Sequence, residues 1–408
     1  MRLTPQPVFS PDPRIAARQK KRLAEETKAS RRQTLRLGLL TGAGLALAAL
    51  LALSGMAKAE TVVSQQARFA LSDVATGLEN PWSLAFLPDG RMLVTERAGR
   101  LRLVTPEGEV SAPLNGVPAV YDTGQGGLLD VILDPGFSSN STIYLSYAAP
   151  SGRLGTTAIA RATLADGGLR DVTVLFTAKT KGSNGRHFGS RLAFGPDGYL
   201  YASIGDHGSD DTAQDLSLHS GKVIRITRDG QPAPGNPFLG QPNALPEIYT
   251  YGNRNPQGLT VTPEGALWAH EHGPRGGDEI NVLKAGANYG WPVITHGRAY
   301  SGFSIGEGTE KPGMEQGIHI YVPSIAPSGM AFYSGKRFPE WQGDLFLGAL
   351  AGTHLNRLEV KDGKVVAEER LLVDLGERIR DVRSGPDGNL YLLTDSEDGR
   401  LIRIAPAN

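Results

Sequence analysis

One short phrase recurs along this chain and leaves few folds open to it. Residues 83–94, built on Phe86-Leu87-Pro88-Asp89-Gly90, return at 191–201 around Pro196-Asp197-Gly198, at 259–268 around Pro263-Glu264-Gly265, and at 382–393 around Pro386-Asp387-Gly388. Two looser copies fill the gaps: 129–147 around Asp134-Pro135-Gly136, and 328–347, where Met330-Ala331-Phe332-Tyr333 precedes Gly343-Asp344-Leu345. Each copy is an apolar strand, a turn and a second apolar strand. Proline presets the first corner, aspartate suits the second, and glycine accepts the left-handed conformation that ends the turn. Six such hairpins, roughly 45–75 residues apart, match the spacing of one four-stranded blade each. The expected fold is all-β, a six-bladed β-propeller of four-stranded antiparallel blades filling residues 60–408 as one domain. Glycine supports this reading, since 52 of 408 residues is nearly twice the usual ~7% and the surplus is spread along the chain. The strand-like segments 67–74 and 400–404 are expected to pair within one blade, closing the ring and covering its edges. Polar insertions at 209–220 and 295–316 should be loops on one face, where binding sites sit.

The first 59 residues read differently. Residues 14–36 are basic, 37–56 form an apolar run, and Ala57-Lys58-Ala59 offers small residues for cleavage, the plan of a secretory signal. Arg31 and Arg32, within Ser30-Arg31-Arg32-Gln33-Thr34-Leu35-Arg36, give a twin-arginine pattern that suggests export of a folded protein. A run of this length could also stay as a membrane anchor; cleavage is the expectation, with a periplasmic or secreted product and no stable membrane insertion afterwards. Residues 1–59 hold eleven Lys/Arg against three Asp/Glu, leaving 31 basic and 39 acidic side chains, near −8, in the remainder. Nucleic acid is therefore not an expected partner. The absence of cysteine excludes disulfides, thiolate zinc sites and cysteine nucleophiles.

Several hairpins run into ionisable clusters after their second strand: Asp206-His207, His270-Glu271-His272 and Asp395. His187 stands just before the third hairpin and Asp206 just after it, so the carboxylate could orient the imidazole as a general base; a hydrogen-bonded structural histidine is the alternative. Arg254, flanked by Asn253 and Asn255, and the group Arg378, Arg380 and Arg383 offer planar donors suited to carboxylates and carbonyls. Together they suggest an anionic ligand, with loop-to-loop ion pairing as the alternative. The segment 271–279, glycine-rich and ending in Asp278-Glu279, offers carbonyl and carboxylate oxygens, a set that favours calcium over zinc.

At these residues the chain resembles the soluble aldose sugar dehydrogenase group of the glucose/sorbosone dehydrogenase family. The matching motifs run from Gly77-Leu78-Glu79-Asn80-Pro81-Trp82 to Arg378-Ile379-Arg380-Asp381-Val382, and include Gly124-Gln125-Gly126-Gly127 and Ala287-Asn288-Tyr289-Gly290-Trp291-Pro292. The resemblance implies pyrroloquinoline quinone (PQQ) over the central channel and oxidation of a sugar at its anomeric hydroxyl to a lactone. It implies His187 as the base, with Arg254 polarising the quinone carbonyl. Gln125, Arg254, Asn255, Ala351, Arg378 and Arg380 match PQQ contacts. The carbonyls of Gly273 and Pro274 match a cofactor-linked calcium, and Glu279 and Tyr289 the ligands of a calcium site. An electron acceptor, a quinone or a cytochrome, would complete the turnover. Two other readings stay open: a metal-dependent propeller hydrolase of lactonase type, and a non-catalytic binding propeller.

Overall fold

A computed structural model describes residues 61–407; the leader 1–59, with its twin-arginine and apolar segments, lies outside the described residues. Twenty-four strands form six antiparallel sheets, each begun by one of the six repeated hairpins. The hairpins pair Pro81–Phe86 with Met92–Glu96, Leu128–Leu133 with Thr142–Ser151, and Leu192–Phe194 with Leu200–Ile204. The others pair Pro256–Val261 with Leu267–Glu271, Pro327–Phe332 with Leu345–Ala349, and Ile379–Ser384 with Leu390–Thr394. Turn chemistry follows the repeated phrase. Gly90 has φ +89 and returns its N–H to Leu87 O at 3.0 Å, while the Asp89 carboxylate accepts the N–H of Arg91 at 3.0 Å. Asp197 and Asp387 repeat that carboxylate bond to Tyr199 and Asn389. The copy at Asp134-Pro135-Gly136 differs: Gly136 has φ −96 and the chain enters a single helical turn, Phe137–Asn140.

Ring closure is as expected, since Arg68–Leu78 pairs with Gly399–Pro406 in a register that sets Phe69 against Pro406 and Leu71 against Ile404. Blade strand counts are less uniform than the expected four. The closing sheet has five strands, because Thr61–Val63 adds to its edge, and the first blade has three. After Arg100–Val104 the chain folds back without forming a fourth strand, through the bridge Val104↔Val110 and the N–H groups of Ser111 and Leu114. Pro113 and Pro118 interrupt that return and cannot donate to a ladder.

The first strand of each hairpin touches that of the next blade all the way round, so these six strands line the channel. Apolar clusters fill the wedges between blades; in one, Phe338 stacks on Trp341 at 4.3 Å beside Phe69, Phe346 and Ile404. A buried charge cluster ties the inner strands together. Arg191 Nη1 lies 3.2 Å from both Asp130 and Asp381, and Arg383 reaches the same two carboxylates at 3.1 and 2.8 Å. Asp130 also accepts from Ser83 Oγ and Leu192 N, and Asp381 from Leu84 N. Four blades share this knot. Arg383 is spent here, not on a ligand, which corrects its grouping with Arg378 and Arg380.

Candidate active site

In an antiparallel hairpin the residue entering the first strand and the residue leaving the second lie at the same end. The repeat therefore places chemistry in pairs. His207 N donates to His187 O, His272 N to Asn255 O, Asp395 N to Arg378 O and Arg97 N to Asn80 O. Groups far apart in sequence thus gather at one end of the channel.

His187 and Asp206 form the sharpest pair. The imidazole Nδ1 stands 2.7 Å from Asp206 Oδ1. The backbone of His187 is held at φ +55, a conformation a non-glycine residue keeps only when its surroundings fix it. The fixing contact is Gln125, whose side-chain oxygen accepts His187 N–H at 2.8 Å. Asp206 is fully buried and accepts Gly208 N–H at 2.7 Å on Oδ1 and the Trp291 indole N–H at 2.9 Å on Oδ2. Burial alone would raise its pKa, but the bond and charge of His187 and the Gly208 N–H hold it below the usual carboxylate value. An ionised Asp206 needs a donor on Nδ1, leaving Nε2 as the acceptor. Among the described residues Nε2 has no partner. The neighbouring His207 is pushed down to about 4 by burial and stays neutral.

Arginines stand at the same end of the channel, Arg254 near enough to Asp206 for its charge to act on it. Arg254 is buried and donates through Nη1 to the carbonyls of His272 and Gly273 at 3.2 Å each. Asn255 uses its oxygen for Gly189 N–H at 3.1 Å. Arg378 grips Asp395 with Nε at 2.9 Å and Nη2 at 2.6 Å, and Arg380 reaches the same carboxylate at 3.2 Å. Burial lowers Arg380, and the like charges of Arg97 and Arg378 add to that against Asp395; burial would raise Asp395, but Arg380 and Arg378 pull it to about 2. Arg97 was not singled out from sequence, although its place after a second strand is that of Asp206 and Asp395. Its Nη1 donates to Gly124 O at 2.5 Å. Four donors here are buried and, among the described residues, unpartnered: Nε of Arg97, Arg254 and Arg380, and Nδ2 of Asn255. Buried donors are rarely left so, and four at one channel end mark a cradle for an acceptor-rich ligand. Gln125 supports this wall through its backbone and side chain, while Ala351 is exposed on the turn after Leu345–Ala349.

The segment 271–279 forms a second feature. Glu271, Glu279, Tyr289, Gly273, Arg254 and Trp291 line a cavity of about 10 Å³, room for roughly one water-sized sphere. Burial, and then their mutual charge, pushes Glu279 up to about 8; burial takes Glu271 to about 7. The buried Glu271, whose oxygens accept the Asn253 side-chain amide and Arg254 N–H, and the half-buried Glu279 face one small space and fit a hard cation. Glu271 was not among the expected ligands. Tyr289 gives its hydroxyl to Val282 O and accepts Lys284 N–H, so only its carbonyl remains for a cation. Asp278, the neighbour of Glu279, is taken by Ser324, Gly273, Ile325 and Ala326. Pro274 packs on the neighbouring Gly297. Among the described residues no three carboxylate or imidazole side chains converge as a metal cluster, so a cation here draws partly on backbone oxygen.

The insertions brace this end. Lys222 donates to the carbonyls of Thr212, Ala213 and Ser220 at 3.0, 2.9 and 2.6 Å. Burial pushes its amine down to about 7, yet three acceptors match the three N–H groups of an ammonium, and we assign it as charged. Gln214 of the same insertion holds Trp291 O at 2.7 Å. In the other insertion, Tyr300 and Phe303 stand exposed on a hairpin bridged by Arg298 and Ser304.

An imidazole–carboxylate dyad at one wall and unpartnered donors at the same end of the channel set this mouth apart from a bare scaffold. A family model described as Glucose / Sorbosone dehydrogenase matches residues 78–403, and the chain belongs to that oxidoreductase family. It is 47% identical over 339 residues to the aldose sugar dehydrogenase YliI of Escherichia coli, covering 81% of this chain and 91% of the relative. The apo-form crystal structure of the soluble aldose sugar dehydrogenase of Escherichia coli superimposes with a TM-score of 0.81 at 44% identity, covering 83% of this chain and all of that one. A PQQ-bound aldose sugar dehydrogenase of Streptomyces coelicolor matches with a TM-score of 0.70 at 31% identity, covering 84% of this chain and 99% of that one.

Proposed function

We propose that this protein is a periplasmic or secreted PQQ- and calcium-dependent aldose dehydrogenase that oxidises sugars at the anomeric hydroxyl to lactones. The observation that carries the reading is the His187–Asp206 dyad beside four unpartnered buried donors. When bound, PQQ supplies a quinone that accepts the hydride leaving the anomeric carbon, and calcium polarises it as a Lewis acid. His187 Nε2 takes the hydroxyl proton, since Nδ1–H is committed to Asp206. The departure of proton and hydride turns the anomeric carbon into the lactone carbonyl, so atoms and electrons balance. Arg254, Asn255, Arg378 and Arg380, with Arg97 beside them, would hold the cofactor's three carboxylates and its quinone oxygens. Gln125 keeps the His187 loop in place. Gly273, Pro274, Glu279 and Tyr289, with Glu271, would supply oxygens to calcium. A quinone or cytochrome would then reoxidise the enzyme.

The testing experiment is His187→Gln in the protein loaded with PQQ and calcium. Turnover of sugar should fall roughly 100-fold or more, a typical general-base contribution, with cofactor uptake followed by visible absorbance unchanged. Reduction of bound quinone by sugar at the wild-type rate would overturn the mechanism. The hydrolase alternative needs a metal held by side-chain carboxylates, and it leaves the arginine cluster without a task.

A further inference from the structure

We propose that Trp291 is a positioning residue that fixes the proton-accepting dyad and the carbonyl-facing arginine through one side chain. The inference rests on the role of His187 proposed above. Asp206 must present one carboxylate oxygen to His187 in a fixed orientation, and it is fully buried, so water cannot help. Oδ1 serves His187 Nδ1 and Gly208 N, both at 2.7 Å. Among the described residues Oδ2 has a single donor, the Trp291 indole N–H at 2.9 Å. Without that donor Oδ2 would be an unpaired charged oxygen in the interior, and the carboxylate would be free to turn about its own axis.

The same indole acts a second time through its face. The Arg254 guanidinium carbon lies 5.3 Å from the ring centroid, within the range of cation–π attraction, while Arg254 Nε stays unpartnered for a ligand. The backbone of Trp291 is clamped on both sides, its N–H to Gly252 O at 2.8 Å and its carbonyl from Gln214 Nε2 at 2.7 Å. Edge and face are therefore set together: the N–H edge locates the imidazole's anchor and the ring face locates the guanidinium. Among the described residues no other donor reaches Asp206 Oδ2, while the Arg254 guanidinium is held by the ring face together with its Nη1 bonds to the His272 and Gly273 carbonyls.

Removing one charge-assisted bond at a reacting geometry should lower turnover by about 10- to 100-fold. Trp291→Phe keeps a face for Arg254 and loses the N–H; its kcat should fall by that factor with KM and PQQ affinity near wild type. Trp291→Leu loses both and should also bind PQQ less tightly. Added to Asp206→Asn, the Trp291→Phe change should cost nothing further, because the bond it removes is already altered. Should the phenylalanine variant fail to fold, 3-benzothienylalanine at position 291 keeps the indole's shape and replaces its N–H by sulfur. In that variant, without cofactor, the low-field proton signal of His187 Nδ1–H, identified by its loss in His187→Gln, should move or broaden. Wild-type kcat in the phenylalanine or benzothienyl variant, an unmoved signal, or multiplying effects in the double variant would overturn the proposal. A collapse of His187→Gln with intact Trp291 variants defeats this inference alone; wild-type turnover in His187→Gln defeats the underlying mechanism.

Discussion

Replacing Asp206 by asparagine tests the dyad at its anchor. Three donors converge on this carboxylate: His187 Nδ1–H, Gly208 N–H and Trp291 Nε1–H. Asparagine offers one acceptor oxygen and one amino group, so one of its two ends must face a donor. If the oxygen keeps His187 and Gly208, the amino group meets the indole N–H in a buried space. If the amide turns over, Nδ1 must accept, the ring proton moves to Nε2, and the base is blocked. Either arrangement loses at least one charge-assisted bond, worth about 1.5–3 kcal/mol, and the second adds the wrong tautomer. Turnover should drop about 100- to 10,000-fold, measured as steady-state sugar oxidation with a dye acceptor at saturating PQQ and calcium. Thermal unfolding should show a cost of about 1–3 kcal/mol. The acid side gives a signed check. Folding depresses the Asp206 pKa below its ordinary value near 3.8, so its contribution to stability is present above that value and lost as pH falls through the lower folded value. Below about pH 4 the wild type should therefore lose stability more steeply than the asparagine variant. An Asp206→Asn protein with wild-type turnover and the same acid limb would refute the reasoning.

The other predictions are more local. Arg191→Met removes one of two cations from the knot with Asp130 and Asp381 and should destabilise by about 3–5 kcal/mol in urea unfolding; a loss under 1 kcal/mol would show that the charges are not mutually dependent. Stripping calcium with a chelator should lower the melting temperature and activity together, and calcium should restore both. Glu279→Gln should weaken that stabilisation more than it weakens turnover at saturating calcium, and full activity without any divalent ion would remove the metal from the mechanism. Arg31→Lys with Arg32→Lys should keep the protein inside the cell, as seen by fractionation, whereas normal export would defeat the twin-arginine reading.

Sequence by itself determined the ring. A turn phrase of proline, acid and glycine is local chemistry, so its six copies could be counted without coordinates, and the pairing of 67–74 with the C-terminus followed from the need to cover edges. It also determined that ionisable groups leave the hairpins at one end, which brought His187 to Asp206 on paper; the grip of Arg378 on Asp395 came from the structure. What it could not decide were contacts between blades, because these join residues tens to hundreds of positions apart with no shared local pattern. Arg383 looked like its neighbours Arg378 and Arg380, yet strand alternation turns it into the knot with Asp130. Arg97 lay in a turn no different from others until the ring brought it beside Arg380. The cavity between Glu271 and Glu279 exists because two adjacent strands pair those residues directly. Trp291 touches Asp206 only because the 209–220 insertion and the loop after Asp278–Val282 meet over the third and fourth blades. Local propensity makes the blades; the closing of the ring chooses which side chains meet.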